Sequence, residues 1–328
     1  MFQSFPFWPE RASSGAGSVD GLFIFLIVLS AVMCILIFTT ITVFAIRYRR
    51  SAHGEAEQLE GSTILEITWS VVPLGVFLVI FAWGAIIYYQ ERRPPQGASE
   101  VYVVAKQWMW KLQHPEGPRE INELHVPTGR DVKLIMTSQD VIHSFYVPAF
   151  RMKQDVLPGR YTTAWFRATK PGVYHLFCAE YCGTLHSGMI GDIVVMEPAA
   201  YAAWIQTGGA FLSLAANGQA IFQQLGCPTC HQAETQGRGP SLIGVFGSSV
   251  QLEDGRSVIA DENYIRESIL APSAKIVSGF KPIMPVFQGL VNEEDLNALV
   301  AYVKSLNQPP SGAAAVPSLA PAMQSQEP

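Results

Sequence analysis

The sequence predicts a multidomain membrane protein: a two-helix transmembrane hairpin, then a β-sandwich or barrel, then a small all-α domain. Three observations carry this reading. Gly21 to Ile46 is 26 residues without a charge, and Ile67 to Gln90 is 24 more. Between about residues 98 and 197, short runs rich in Val, Tyr, Phe, Trp and Thr alternate with turn signals. From about Leu214 the apolar spacing becomes helical. The 328 residues carry a formal net charge of -5, so no basic surface points to nucleic acid.

About 20 apolar residues span a bilayer, and both uncharged stretches exceed that. The first is too long for the apolar core of a signal peptide, which runs to roughly 15 residues. Residues 1–95 are thus assigned to an N-terminal segment and two spans, 21–46 and 67–90, with Pro73 expected to kink the second near its start. The positive-inside rule is tied: Arg47, Arg49 and Arg50 lie in the connecting loop, and Arg11, Arg92 and Arg93 flank the outer ends. Cys34 falls mid-span and reads as an apolar packing residue.

Residues 96–198 form the β domain. The runs "VYVVAKQWMW", "DVKLIMT", "YTTAWFRA", "GVYHLFC" and "GDIVVM" are punctuated by "HPEGP", "PTGR" and "KPG", which suggests an antiparallel sandwich or barrel. Residues 199–215 read as a linker and 216–307 as the helical domain. There, Asp261 and Asn292 are expected N-caps, and Leu296, Leu299, Val300, Val303 and Leu306 form a core stripe. Residues 308–328, rich in Pro, Ala and Ser, read as a disordered tail.

Two cysteine clusters carry the chemistry. "CPTCH", Cys227 to His231, is a C-x-x-C-H haem c attachment signal, with each thiol able to form a thioether and His231 able to ligate iron. Of the two methionines downstream, Met323 sits in the tail and Met284 in a proline-bracketed loop, so Met284 is the candidate sixth ligand. Haem attachment takes place outside the cytoplasmic membrane, which breaks the orientation tie. The soluble domains and both termini then lie on the extracytoplasmic side.

The second cluster is "HLFCAEYCGTLHSGM", His175 to Met189. A disulfide is the default for Cys178 and Cys182 in an oxidising compartment. His186 and Met189 argue otherwise, because thiolate, imidazole and thioether form a soft set that favours copper, and structural zinc has no use for Met189. A mononuclear blue-copper site needs one cysteine and two histidines, and here there is one thiolate too many. Two thiolates can bridge two ions if a second histidine is supplied, and "DVIHSFYVP" offers His143. The histidines at 53, 114, 125 and 175 read as packed or surface residues.

With these residues on view, Met1 to about Ala200 resembles subunit II of cytochrome c oxidase, and the string "CAEYCGTLHSGM" matches its binuclear copper motif without gaps. The whole chain resembles a subunit II with a cytochrome c domain fused behind it, as in caa-type oxidases. The resemblance implies a cupredoxin-like Greek-key sandwich. It implies a binuclear CuA centre with Cys178 and Cys182 bridging, His143 and His186 as terminal ligands, and Met189 and the Glu180 carbonyl as weak ligands. The Glu180 side chain would face a magnesium ion shared with subunit I. Trp108 would receive electrons, although Met109 stands where the family often has tyrosine; Trp110 reads as core. Glu66 would stand at a proton-channel mouth. In "GPSLIG" the carbonyl of Pro240 would hold the haem histidine, as in small cytochromes c. Glu116, Glu120, Glu123, Asp140 and Asp155 could form an acidic docking face.

The implied protein is a subunit of a proton-translocating oxidoreductase in a bacterial cytoplasmic membrane. Its implied partners are subunit I, other oxidase subunits and a donor cytochrome, with no nucleic acid. Neither span contains a histidine, so the oxygen chemistry would belong to the partner. Two other readings compete: the CuA-bearing subunit of a nitric oxide reductase, and a membrane-tethered copper-binding protein without an oxidase partner.

Overall fold

The structure is a computed structural model and describes residues 8–49, 61–207, 213–232 and 237–307. Arg50, His53, residues 208–212 of the expected linker and the expected tail, 308–328, lie outside the described residues. The described chain forms two compact units, one holding the long helices and the β domain, the other the helical domain.

In the first unit, α1 (Ala16–Arg47) and α2 (Thr63–Arg92) are each long and apolar enough to cross a membrane. Ser62 caps α2, its hydroxyl accepting from the Leu65 amide, and α2 continues through Pro73 as one helix. Cys34 lies midway along α1 on a face that α2 does not cover.

The β domain has ten strands: β1 (Ser99–Lys106), β2 (Met109–Gln113), β3 (Arg119–Ile121), β4 (Glu123–Pro127), β5 (Asp131–Ser138), β6 (His143–Val147), β7 (Met152–Val156), β8 (Thr162–Arg167), β9 (Gly172–Cys178) and β10 (Ile190–Met196). They form two five-stranded sheets, β3-β2-β1-β5-β8 and β4-β10-β9-β6-β7. The expected antiparallel pattern needs correction, since β1 pairs β5 and β10 pairs β4 in parallel. Both pairs join strands distant in sequence, which local turn signals cannot reveal. The run "VYVVAKQWMW" is two strands, β1 and β2, folded back on each other at Gln107–Trp108 with Lys106 opposite Met109.

Alternation along each strand sends one face inward. Trp110, Leu112, Leu124, Leu134, Phe145, Leu176 and Ile193 are nearly sealed from solvent and form the core. Residues preceding α1 join it. Ala12 is fully buried, its amide donates to Ala149 O (3.0 Å), its carbonyl accepts from the Thr169 amide (2.9 Å), and Ser13 bridges Ala168. A helix, α3 (Pro198–Thr207), occupies half of the expected linker. Its Trp204 stacks on His125 with ring centres 4.5 Å apart.

The second unit contains α4 (Leu214–Gln224), a small hairpin of β11 (Ser249–Gln251) and β12 (Ser257–Ile259), α5 (Glu262–Leu270) and α6 (Glu293–Ser305). The hairpin is an addition to the all-α expectation. Asp261 caps α5 through the Tyr264 amide (2.8 Å), and Asn292 caps α6 through the Glu294 and Asp295 amides (both 2.9 Å). Leu296, Leu299, Val300 and Val303 are buried as one stripe, while Leu306 at the helix end is half-buried. The α4–α6 crossing needs a glycine: a Cβ on Gly218 would lie 1.9 Å from the Ala298 carbonyl oxygen. Arg266 of α5 forms an ion pair with Glu293 of α6.

Candidate copper centre and haem pocket

In the first unit, β6 and β9 bring the soft ligands together. His143 opens β6, Cys178 closes β9, and Phe145 pairs with Cys178 across the ladder. The loop beyond Cys178 folds back so that the Cys178 amide donates to Met189 O (3.1 Å) and the Ala179 amide to Ser144 O (3.0 Å). This places Cys182, His186 and Met189 over the end of β6.

Ligand atoms of His143, Cys178 and Cys182 lie within 4.8 Å of one another, and all three residues are buried. The two sulfurs are 3.8 Å apart and belong to free cysteines. His143 Nδ1 is 3.9 Å from Cys178 Sγ, His186 Nδ1 is 3.5 Å from Cys182 Sγ, and Met189 Sδ is 3.9 Å from Cys182 Sγ. The Glu180 carbonyl accepts from Cys178 Sγ at 3.2 Å, while its carboxylate side is exposed. The five side chains and the carbonyl named from the sequence therefore converge on one spot.

Electrostatics at the two thiols differ. Burial opposes ionisation of Cys178, but the His143 imidazole and neighbouring backbone groups outweigh it and draw its pKa down to about 6. Burial, and then the Cys178 charge, push Cys182 up to about 12. One thiolate forms readily and a second does not, since like charges so close repel. A cation removes that conflict, because thiolates are the metal-binding form. A metal–thiolate bond is about 2.3 Å, so sulfurs 3.8 Å apart can share an ion. The residues fit a copper site held by two thiolates.

Asp140 supports this site, a role its place in the sequence did not reveal. His143 Nε2 donates to Asp140 Oδ1 (2.8 Å), so the ring's other nitrogen is left for the cysteine side. The Gln107 amide donates to Asp140 Oδ2 (2.8 Å), and Gln107 Nε2 donates to Cys182 O (2.7 Å). A carboxylate behind a ligand histidine fixes its tautomer and orientation. The same contacts tie the Trp108 turn to the cysteine loop, with Trp108 packed against the core. Trp110 is fully buried and meets the His143 ring edge-on.

The acidic docking face needs one correction. Glu120 is buried between two histidines, with His114 Nε2 at 2.8 Å and His125 Nδ1 at 2.5 Å, and is not a surface charge. Burial favours its neutral form, but those hydrogen bonds prevail and hold its carboxyl below the usual range. Glu66 stands exposed in the first turn of α2, at the end opposite the β domain.

In the second unit, a single turn over Cys227–Thr229 presents the C-x-x-C-H residues, and the His231 amide donates to Cys227 O (3.0 Å). His231 Nδ1 lies 2.9 Å from Pro240 O. A carbonyl only accepts, so Nδ1 carries the proton and Nε2 is left to bind metal. A cavity of about 660 Å³ is lined by Cys227, Cys230, His231 and Met284 together with apolar side chains such as Phe222 and Leu299. A Cβ on Gly239 would come within 2.9 Å of the His231 ring, so only glycine leaves the imidazole its place. An apolar chamber with two thiols, an oriented imidazole and a thioether fits a covalently held haem.

Comparison with known proteins matches both domains to described families. Residues 119–197 match the family described as cytochrome c oxidase subunit II, periplasmic domain, and residues 215–307 match cytochrome c. The cytochrome c oxidase subunit 2 of Alkalihalophilus pseudofirmus is 32% identical over 303 residues, covering 85% of this chain and 84% of that protein. The subunit 2 of Thermostichus vulcanus is 30% identical, covering 60% of this chain and 76% of its own. Among solved structures, the periplasmic domain of subunit II of cytochrome oxidase from Bradyrhizobium japonicum is 32% identical, covers 35% of this chain and 96% of its own, and has a TM-score of 0.34. The subunit II domain implies copper and the cytochrome c domain implies haem c. The chain is thus a cytochrome c oxidase subunit, with two apolar helices long enough to anchor it in a membrane. It belongs to the cytochrome c oxidase subunit 2 family, in the form that carries a cytochrome c domain behind the copper domain.

Proposed function

We propose that this chain is the electron-input wire of a terminal oxidase. When bound, haem c and a binuclear CuA centre supply one-electron redox chemistry, carrying electrons from a donor cytochrome towards subunit I, where oxygen is reduced to water with proton pumping. Cys227 and Cys230 would hold the haem covalently, and His231 and Met284 would ligate its iron. Cys178 and Cys182 would hold the coppers through their thiolates, His143 and His186 through their imidazoles, and Met189 and the Glu180 carbonyl more weakly. Trp108 receives electrons on the copper domain. The exposed Glu180 carboxylate would face a magnesium ion shared with subunit I, and Glu66 would serve proton uptake. The soluble domains and both termini lie outside a bacterial cytoplasmic membrane.

The observation that carries this reading is the pair of sulfurs 3.8 Å apart, ringed by two imidazoles, a thioether and a carbonyl. Rigid, mostly buried ligands suit electron transfer because they move little when the charge changes. The test is metal analysis and EPR on the purified complex. Two coppers per chain, a mixed-valence copper spectrum and one covalent haem by mass are expected. Cys178 and Cys182 found as a disulfide after reduction and copper loading would overturn it. Consumption of nitric oxide rather than oxygen would instead favour a nitric oxide reductase.

A further inference from the structure

Outside both sites, a buried charge cluster sits where the copper domain meets the outer end of α1. Asp20, one turn into α1, has a side chain only 3% exposed. Arg151 Nε donates to Asp20 Oδ1 (2.7 Å) and Nη2 to Asp20 Oδ2 (3.1 Å). Arg11 Nε also donates to Oδ2 (2.6 Å).

Arg151 has five N–H donors, and every one has a partner. Besides Asp20, Nη1 donates to Pro148 O (2.6 Å) and Glu10 O (3.2 Å), and Nη2 to Pro9 O (2.8 Å). Its guanidinium also lies over the Trp8 ring, 5.7 Å from the centre. One side chain thus joins the segment before α1, α1 itself and the β domain. Arg151 has φ of 55°, the left-handed region that side chains other than glycine seldom adopt. Such a conformation persists where its surroundings over-determine it, and here the surroundings are the five hydrogen bonds.

Arg151 also follows the strand that carries a copper ligand. β6 begins at His143, and the Pro148–Phe150 turn then leads directly to Arg151. On the other helix, Trp165 Nε1 donates to Gln90 O (3.2 Å), and Arg92 bonds Gln154 of β7, which pairs with β6. The outer ends of both membrane helices are therefore fastened to the copper domain, and the Arg151 clasp is the buried, charged one. We propose that Arg151 and Asp20 are positioning residues for electron transfer out of the copper domain. They hold β6, and with it His143, at a set distance and orientation above the membrane hairpin that docks on the catalytic subunit. This inference rests on the function proposed above.

The test uses the assembled oxidase complex with Arg151→Gln. A photosensitiser flash reduces the copper centre, and electron arrival at the membrane haem is timed. A displaced copper domain lengthens the path of the electron, so a several-fold slowing of its arrival is expected. Copper content, copper EPR spectrum and copper potential should stay as in the parent, and KM for the donor cytochrome should not move. If Arg151→Gln does not assemble, Arg11→Gln removes one hydrogen bond from a half-exposed side chain and should slow transfer in the same direction by a smaller factor. Parent transfer rates in an assembled variant would overturn the inference, as would slowing accompanied by a shifted copper potential or spectrum. Absence of a copper-pair spectrum in the parent would instead overturn the proposed function.

Discussion

Replacing Asp140 by Asn tests whether the carboxylate behind His143 governs copper binding. Asp140 Oδ1 accepts from His143 Nε2 (2.8 Å), the Val141 amide (2.7 Å) and the Ser138 hydroxyl (3.3 Å), and Oδ2 accepts from the Gln107 amide (2.8 Å). An asparagine has one oxygen. Its better orientation keeps the three contacts of Oδ1 and turns its NH2 towards the Gln107 amide, donor against donor. A part-buried donor left without an acceptor costs about 1–3 kcal/mol, and the remaining hydrogen bond to His143 loses its charge assistance. Removing a partner of a ligand histidine weakens metal binding about 10- to 100-fold, which is about 1.4 to 2.8 kcal/mol. The assay is anaerobic competition for copper against a chelator of known affinity, read by the copper EPR signal. Asp140→Ala, which removes all four contacts, should lie at the upper end. Copper affinity within twofold of the parent for both variants would refute the argument that Asp140 orients His143.

Two further outcomes follow from packing and protonation. Gly218→Ala should force α4 and α6 apart, because the new methyl would sit 1.9 Å from Ala298 O and 2.8 Å from Tyr302 Cβ. Over-packing costs about 1–3 kcal/mol, a fall of at least about 4 °C in the melting midpoint of a domain this size; an unchanged midpoint by calorimetry would remove the close-approach argument. The second outcome concerns Glu120, whose carboxyl is held below its ordinary value of 4.5 against the pull of burial by His114 and His125. Its folded pKa is depressed, so it contributes stability above pH 4.5 that is lost as pH falls through the folded value. Acid unfolding followed by tryptophan fluorescence should begin below about pH 4.5, and Glu120→Gln should flatten that part of the curve. An identical acid limb in the variant would show that the His–Glu–His contact adds nothing.

Much of this was legible because it is local. Two long uncharged stretches, the N-caps Asp261 and Asn292 and the stripe along α6 each depend on residues within a few positions of one another. The soft ligand set was equally local for Cys178, Cys182, His186 and Met189, and His143 was found only because the set lacked a second imidazole. Non-local features stayed hidden. The β1–β5 and β4–β10 parallel pairs join strands separated by others, and no turn chemistry announces them. Asp140 and Glu120 looked alike as acidic residues near turns. One orients His143 of the cysteine cluster and the other is buried between histidines, a difference made by the partners each takes in the fold. α3 was read as linker because "PAAYAAWIQT" has little apolar patterning of its own; it is held by Trp204 on His125.

The burial of Ala12 bears on how the chain matures. A residue made before either membrane helix completes the interior of a domain whose last strand ends at Met196. The ribosome therefore delivers this piece before the helices, and it waits while about 180 later residues are synthesised. The domain can finish closing only when that leading segment and the later strands reach the same side of the bilayer. Correct insertion of the hairpin thus becomes a precondition for a sealed interior. A truncated fragment starting at residue 96 would leave Ala149 O without its donor and the Thr169 amide without its acceptor. Such a fragment should be looser than its tethered counterpart, and recombinant versions gain by having residues 11–14 supplied.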